Sequence, residues 1–240
     1  NGLGTWDVSL LYKAPAGAPP ITTKPDVHND YVIAGTGQYM TNDALDKKQQ
    51  NYAYGFIDTG ETIDGMGALL EQSIDKNVTA QTDLDKVGAS GWTITRNEMQ
   101  SNHKGWYLKL PLGQIVSSDA NVYRGKVAQF QSVARTDETN VCTPTGSTSF
   151  ISVDLKNGGL YRAPIYDTNF DGKYDDKDVN IGMMTYKDNI APTKGSVGAT
   201  INGRNTTAVV ALGTKGTISF LINPLGDDPI LRRLSWREIF

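Results

Sequence analysis

Apolar residues in this chain fall in short runs of four to six, separated by glycines, prolines and polar turns. Runs of that length, bounded by turn residues, predict strands buried on both faces. Three segments share one plan. The first takes in residues 21–27, 31–37 and 54–60, the second 115–122, 125–130 and 149–159, and the third 192–197, 207–213 and 217–224. Each reads as a short strand, a mostly apolar strand, and a strand that ends at an Asp or Asn turn followed by Gly or Pro. Repeated small antiparallel sheets are the plan of a β-propeller, whose blades run to about 40–50 residues. The spacing here is roughly twice the blade length, so insertions are expected. One lies between Gly60 and His103 and contains a stretch, Met66 to Ile74, that reads either as a helix turn or as an irregular strand. The other lies between Tyr166 and Ile181.

The second insertion carries the most specific chemistry. Residues 167–178 read Asp-Thr-Asn-Phe-Asp-Gly-Lys-Tyr-Asp-Asp-Lys-Asp. Side-chain oxygens fall at loop positions 1, 3, 5, 9 and 12, as Asp167, Asn169, Asp171, Asp175 and Asp178, with Gly172 at the sharp turn of position 6. Lys173 at position 7 offers its backbone carbonyl. Calcium takes six to eight such oxygens, supplied by alternate residues of a tight loop. Five acids against two lysines leave the loop a net charge of −3, costly to hold in one turn without a cation. Position 12 is Asp178 and not the bidentate Glu of a sensor loop, which points to a structural site and not an opening switch. The other reading is a solvated acidic turn.

The expected fold is therefore all-β: the C-terminal portion of a modified β-propeller, with inserted loops and a calcium loop. Residues 1–240 are expected to form part of a single propeller domain. Too few blades are present to close a ring, so sequence N-terminal to this stretch should complete it. A compact β-sandwich of similar strand count is the alternative. The last residues, 231–240, place Leu231, Leu234, Trp236 and Ile239 to face a core and Arg232, Arg237 and Glu238 to face water. This suits a strand that closes a ring, with an arginine interaction patch as the second reading.

Composition narrows the function classes. A net charge of −3 argues against a general nucleic-acid role, and no apolar run approaches the roughly 20 residues that span a bilayer. The chain starts at Asn1 without Met and reads as a mature or excised fragment. Cys142 is the sole cysteine, so it is either a free thiol or paired with a part of the protein outside this sequence. His28 and His103 stand far apart and read as surface or packing residues.

Several motifs then occur in a fixed order: Pro-Ile-Thr-Thr-Lys-Pro-Asp-Val (20–27), Val-Ile-Ala-Gly-Thr-Gly-Gln-Tyr (32–39), Gln-Asn-Tyr-Ala-Tyr-Gly-Phe-Ile-Asp (50–58), Gly-Trp-Tyr-Leu-Lys-Leu-Pro (105–111), the Cys142 loop running into Thr-Ser-Phe-Ile-Ser-Val-Asp (148–154), and Arg-Arg-Leu-Ser-Trp-Arg-Glu-Ile-Phe (232–240). Together they resemble the C-terminal propeller domain of the PilC/PilY family of type IV pilus tip adhesins and biogenesis factors, with the terminus most similar to the neisserial-type PilC branch. The resemblance implies a calcium loop held by Asp167, Asn169, Asp171, the Lys173 carbonyl and Asp175, while Asp178 is added by spacing alone. It implies a role in promoting pilus assembly, opposing retraction, and supporting twitching motility and host-cell attachment. It also implies partners among the minor pilins, a host-cell surface receptor and the N-terminal remainder of the same chain, at the cell surface or pilus tip, at the outer membrane or secreted. No Arg-Gly-Asp tripeptide occurs, and the loop after Cys142 reads Thr-Pro-Thr-Gly-Ser where relatives tend to have paired glycines.

Two other function classes stand beside this one. A calcium-bearing quinoprotein enzyme would need a convergent catalytic set. None is legible, and Gly35-Thr-Gly37 lacks the third Gly and the Lys of a phosphate loop. The chain is therefore read as a non-enzyme. A purely structural scaffold, stapled by calcium, is the third class. Tyr39, Tyr52, Tyr54 and Trp92 are expected in or near loops, as packing residues or aromatic contacts.

Overall fold

A computed structural model describes residues 8–37, 49–135, 146–191, 194–201 and 204–223. The Cys142 loop, the 231–240 terminus and Tyr39 lie outside them. The regular secondary structure of the described chain is nearly all strand. Each of the three repeated segments folds into an antiparallel meander. The first comprises β2 (Asp26–His28), β3 (Tyr31–Gly35) and β4 (Tyr52–Ile57). The second runs from β9 (Ile115–Val116) and β10 (Asn121–Tyr123), both paired with β11 (Val127–Arg135), to β12 (Gly146–Asp154). The third comprises β14 (Gly195–Ile201), β15 (Arg204–Gly213) and β16 (Gly216–Ile222). Short β1 (Tyr12–Lys13) pairs in parallel with β5 (Ile63–Asp64).

The first two meanders are not separate blades. The insertion after Gly60 supplies β6 (Leu70–Asn77) and β7 (Ala89–Ile94), so of the Met66 to Ile74 stretch the first four residues form a turn, closed by Leu69 N donating to the Met66 carbonyl at 3.0 Å, and the rest is strand. β6 pairs in parallel with β8 (Gly105–Lys109), which continues β4, and antiparallel with β7. β7 in turn pairs with β13 (Met183–Lys187), the neighbour of β12. Eleven strands therefore form one sheet. It curls until its edges approach. Val122 N donates to Asp26 Oδ2 at 2.7 Å, and Val116 N donates to the Thr36 carbonyl at 2.9 Å.

Side-chain alternation sends the curled sheet into two cores. Ile33, Leu70, Trp106, Leu108, Phe130, Ile151, Val153 and Met183 form a shared cluster. The next-door residues Val127, Phe150 and Met184 belong to a second cluster with Val209, Ala211, Ile218 and Ile222 of the third sheet. The Phe150 and Phe220 rings meet edge to face at 4.7 Å between centroids. A third cluster, Tyr54, Phe56, Ile63 and Leu69, packs with β1. Tyr52 and Tyr54 are thus strand residues of β4 and Trp92 of β7, and Tyr54 is buried.

Trp106 is fully buried, and its Nε1 donates to the Leu155 carbonyl at 2.8 Å. A Cβ on Gly55 would lie 2.3 Å from its ring, and one on Gly158 equally close. Gln72 fixes the seam between the two halves. Its amide donates to the carbonyls of Asn97 and Asn157, both at 2.9 Å, and its Oε1 accepts from Thr95 Oγ1 and Asn97 N. A buried amide with both ends satisfied rigidifies what it joins. Among the described residues, no helix is long and apolar enough to cross a membrane.

Candidate metal centre

The acidic loop forms the connection from β12 to β13. Its two ends are anchored in the core shared with the third sheet, through Ile165 and Tyr166 before it and Ile181 after it. Tyr166 makes a bridge with Ile222, its hydroxyl meets Ser152 Oγ at 2.8 Å, and Asn223 N donates to the Ile165 carbonyl at 2.9 Å. On another side, Asp83 N, beside the 3-10 turn Leu84–Val87, donates to the Thr168 carbonyl at 2.9 Å.

Within the loop, side-chain oxygens bend the backbone by accepting its amides. Asn169 Oδ1 takes Asp171 N at 2.9 Å, Asp171 Oδ1 takes Lys173 N at 2.8 Å, and Asp175 Oδ1 takes Lys177 N at 2.9 Å. Asp167 Oδ2 reaches further, to Gly172 N at 2.8 Å, and so fastens position 1 to position 6. Such side-chain turns are what Asp and Asn do between alternate residues. Two residues take left-handed φ, Phe170 at 58° and Gly172 at 76°. Nothing lies within 4 Å of a Cβ built on Gly172, so the glycine is required by its φ alone.

Asp178 does different work. It is 6% exposed. Its Oδ1 accepts from Thr168 N at 2.8 Å and Thr168 Oγ1 at 3.3 Å, and its Oδ2 from Asp175 N at 3.1 Å. Thr168 Oγ1 also accepts from Val179 N at 2.9 Å. Thr168 and Asp178 thus clasp the base of the loop. Burial raises the Asp178 pKa above the usual carboxylate value, opposed by the two amides it accepts. Tyr174, at position 8, lies near Thr206 of β15, and burial pushes its pKa up to about 12. Thr168 and Tyr174 carry no sequence signal. Both act through burial that the spacing of acids does not encode.

The donor set suits a hard cation. Four side chains, Asp167, Asn169, Asp171 and Asp175, present oxygens, and Asp167 Oδ1 is buried without a hydrogen-bond partner among the described residues. A carboxylate that accepts one amide keeps lone pairs for a cation. Among the described residues, no three His, Cys, Asp or Glu groups converge closely enough to enclose an ion. The fit therefore rests on residue type, the bent backbone and the unpartnered Asp167 oxygen. His28 packs against Gly125, and His103 Nδ1 accepts from Gln100 N at 3.0 Å.

No family model matches the chain. A type IV pilus biogenesis factor PilY1 homolog of Xylella fastidiosa is 26% identical over 252 residues, covering 98% of this chain and 19% of that protein. The chain therefore spans about a fifth of its relative's length. The crystal structure of the Pseudomonas aeruginosa PilY1 C-terminal domain superposes with a TM-score of 0.64 at 21% identity, covering 86% of this chain and 45% of that one. That likeness establishes the fold. With the ordered motifs and a relative aligned along nearly the whole sequence, this chain is similar to the PilY family, in the region that corresponds to its C-terminal domain.

Proposed function

We propose that this chain is the calcium-binding domain of a type IV pilus biogenesis factor and pilus-tip adhesin at the bacterial surface. The observation that carries the reading is the pilus biogenesis factor that aligns with 98% of the chain. The acidic loop adds the calcium. Asp167, Asn169, Asp171 and Asp175 would hold the ion through side-chain oxygens and Lys173 through its carbonyl, while Asp178 holds the loop shut and is a ligand by spacing only. Bound calcium neutralises the loop's net charge of −3. The chain's own residues then do the rest. Tyr166, Ile165 and Asn223 pass the loop's geometry to the third sheet, and Asp83 passes it to the main sheet. Through that geometry the domain promotes pilus assembly, opposes retraction, and supports twitching motility and attachment to host cells. Its partners are minor pilins, a host-cell receptor and the N-terminal remainder of its own protein. The role is not enzymatic, in keeping with a relative described as a biogenesis factor.

The test replaces Asp167 and Asp171 by Ala in the full-length protein in its own cells. The expected outcome is loss of calcium binding in isothermal titration, together with a changed number of surface pili and a reduced twitching zone. Unchanged calcium binding overturns the site. Lost binding with unchanged piliation and motility overturns the link between calcium and pilus dynamics.

A further inference from the structure

β6 ends in Asp75-Lys76-Asn77 and continues through Val78 into a 3-10 turn, Thr79–Gln81. Asn77-Val78-Thr79 is an Asn-x-Thr triplet with no proline at its centre, the acceptor pattern for an N-linked glycan in an exported protein. The chain holds one other such triplet, Asn205-Thr206-Thr207 in β15. That one has Gly203 two residues before its asparagine, where the first has Asp75.

The fold leaves the acceptor nitrogen free and fixes what surrounds it. Asp75, Lys76 and Asn77 are exposed, whereas Val78 is buried. Val78 N donates to the Gly91 carbonyl at 2.9 Å, so the chain is pinned inward at Val78 and the Asn77 side chain turns out. Asn77 Oδ1 accepts Thr79 N at 3.0 Å, and Thr79 Oγ1 accepts Gly91 N at 3.0 Å. Both bonds use side-chain oxygens. The Asn77 amide nitrogen makes no hydrogen bond among the described residues. A substituent on it therefore breaks no hydrogen bond of the fold and projects into water from the end of a strand. The Asp75 carboxylate accepts one long bond, from Thr93 Oγ1 at 3.4 Å, and its charge stays at the surface.

We propose that Asn77 is a modification site, the acceptor of an N-linked oligosaccharide supplied by a polyprenyl-diphosphate-linked donor. In the transfer, Asn77 Nδ2 bonds to the anomeric carbon of the first sugar. The bond from that carbon to the diphosphate oxygen breaks, the polyprenyl diphosphate leaves with the electron pair, and Nδ2 gives up one proton to solvent. An amide nitrogen is a weak nucleophile, because its lone pair is delocalised into the carbonyl, so a transferase must grip the triplet closely. Thr79 supplies a hydroxyl for that grip, and Asp75 supplies a negative charge for a cationic subsite. Transfer takes place on the exported chain before β6 and β7 pair, so the fold has only to accommodate the product. The glycan then covers the exposed end of β6 with a bulky, hydrated group. The inference rests on the surface reading, since the donor is met only on export, and on neither calcium nor adhesion.

Mass spectrometry of tryptic peptides tests it, on the full-length protein purified from its own cells after separation into surface and internal fractions. The expected result is an oligosaccharide on the Asn77 peptide of the surface protein. Asn77→Gln and Thr79→Ala abolish it, Asp75→Ala lowers the occupied fraction several-fold, and Thr79→Ser keeps it. The serine variant retains a hydroxyl for Gly91 N, which separates loss of the triplet from damage to the fold. Surface protein with a bare Asn77 peptide overturns the proposal and leaves the surface reading standing. Protein recovered only from the internal fraction overturns both. A glycan that persists in Asn77→Gln or in Thr79→Ala overturns the assignment to this triplet, and full occupancy in Asp75→Ala overturns the part given to the acid.

Discussion

Two glycines show how one residue type answers two demands. Gly172 and Gly158 both hold left-handed φ, at 76° and 69°. Gly172 faces open space, whereas a Cβ at Gly158 would stand 2.3 Å from the Trp106 ring. Gly172→Ala should therefore cost only the backbone term, about 1–2 kcal/mol. Gly158→Ala adds a clash with a fully buried indole and should cost distinctly more. Trp106→Ala, which empties the same site, should lose about 3–5 kcal/mol. Urea denaturation of the three variants checks the order, and a Gly172→Ala loss equal to that of Gly158→Ala would contradict the packing account.

At the scale of elements, the loop is held by a clasp and not by its acids alone. Asp178→Ala leaves the amides of Thr168 and Asp175 without their acceptor. The expected loss is about 1–3 kcal/mol for each buried group left unpaired. Hydrogen exchange should show protection lost across residues 168–179 and at Asn223, whose amide bonds to Ile165 at the loop's root. The β11 and β12 amides should stay protected, because their ladder runs from Val127 to Arg135 without the loop. Exchange that quickens equally in β11 and β12 would mean that the loop and sheet unfold as one unit.

For the whole molecule, the loop stands between the curled sheet and the third sheet, so calcium should stabilise their docking. A ligand that binds only the folded state adds RT ln(1 + [Ca]/Kd), about 2.7 kcal/mol at 100 times Kd. Calorimetry in calcium and in chelator should show the melting temperature rising with calcium. The Asp167→Ala, Asp171→Ala double variant should melt alike in both. A rise that persists in the double variant would place the ion elsewhere.

The sequence by itself determined the strands of the three meanders, their grouping and the spacing of the loop's side-chain oxygens. These depend on residues close along the chain, where apolar runs, turn glycines and alternating acids act over one strand or one turn. It also carried the resemblance to the PilY family, in keeping with a relative 26% identical along 98% of the chain. The tertiary structure alone decided that two meanders merge into one curled sheet. That depends on Met183 meeting Trp92 and Leu70 meeting Trp106, pairings between distant segments that no local pattern states. It also separated Asp178 from the other acids, since spacing treats all five oxygens alike and only burial against Thr168 makes one a clasp.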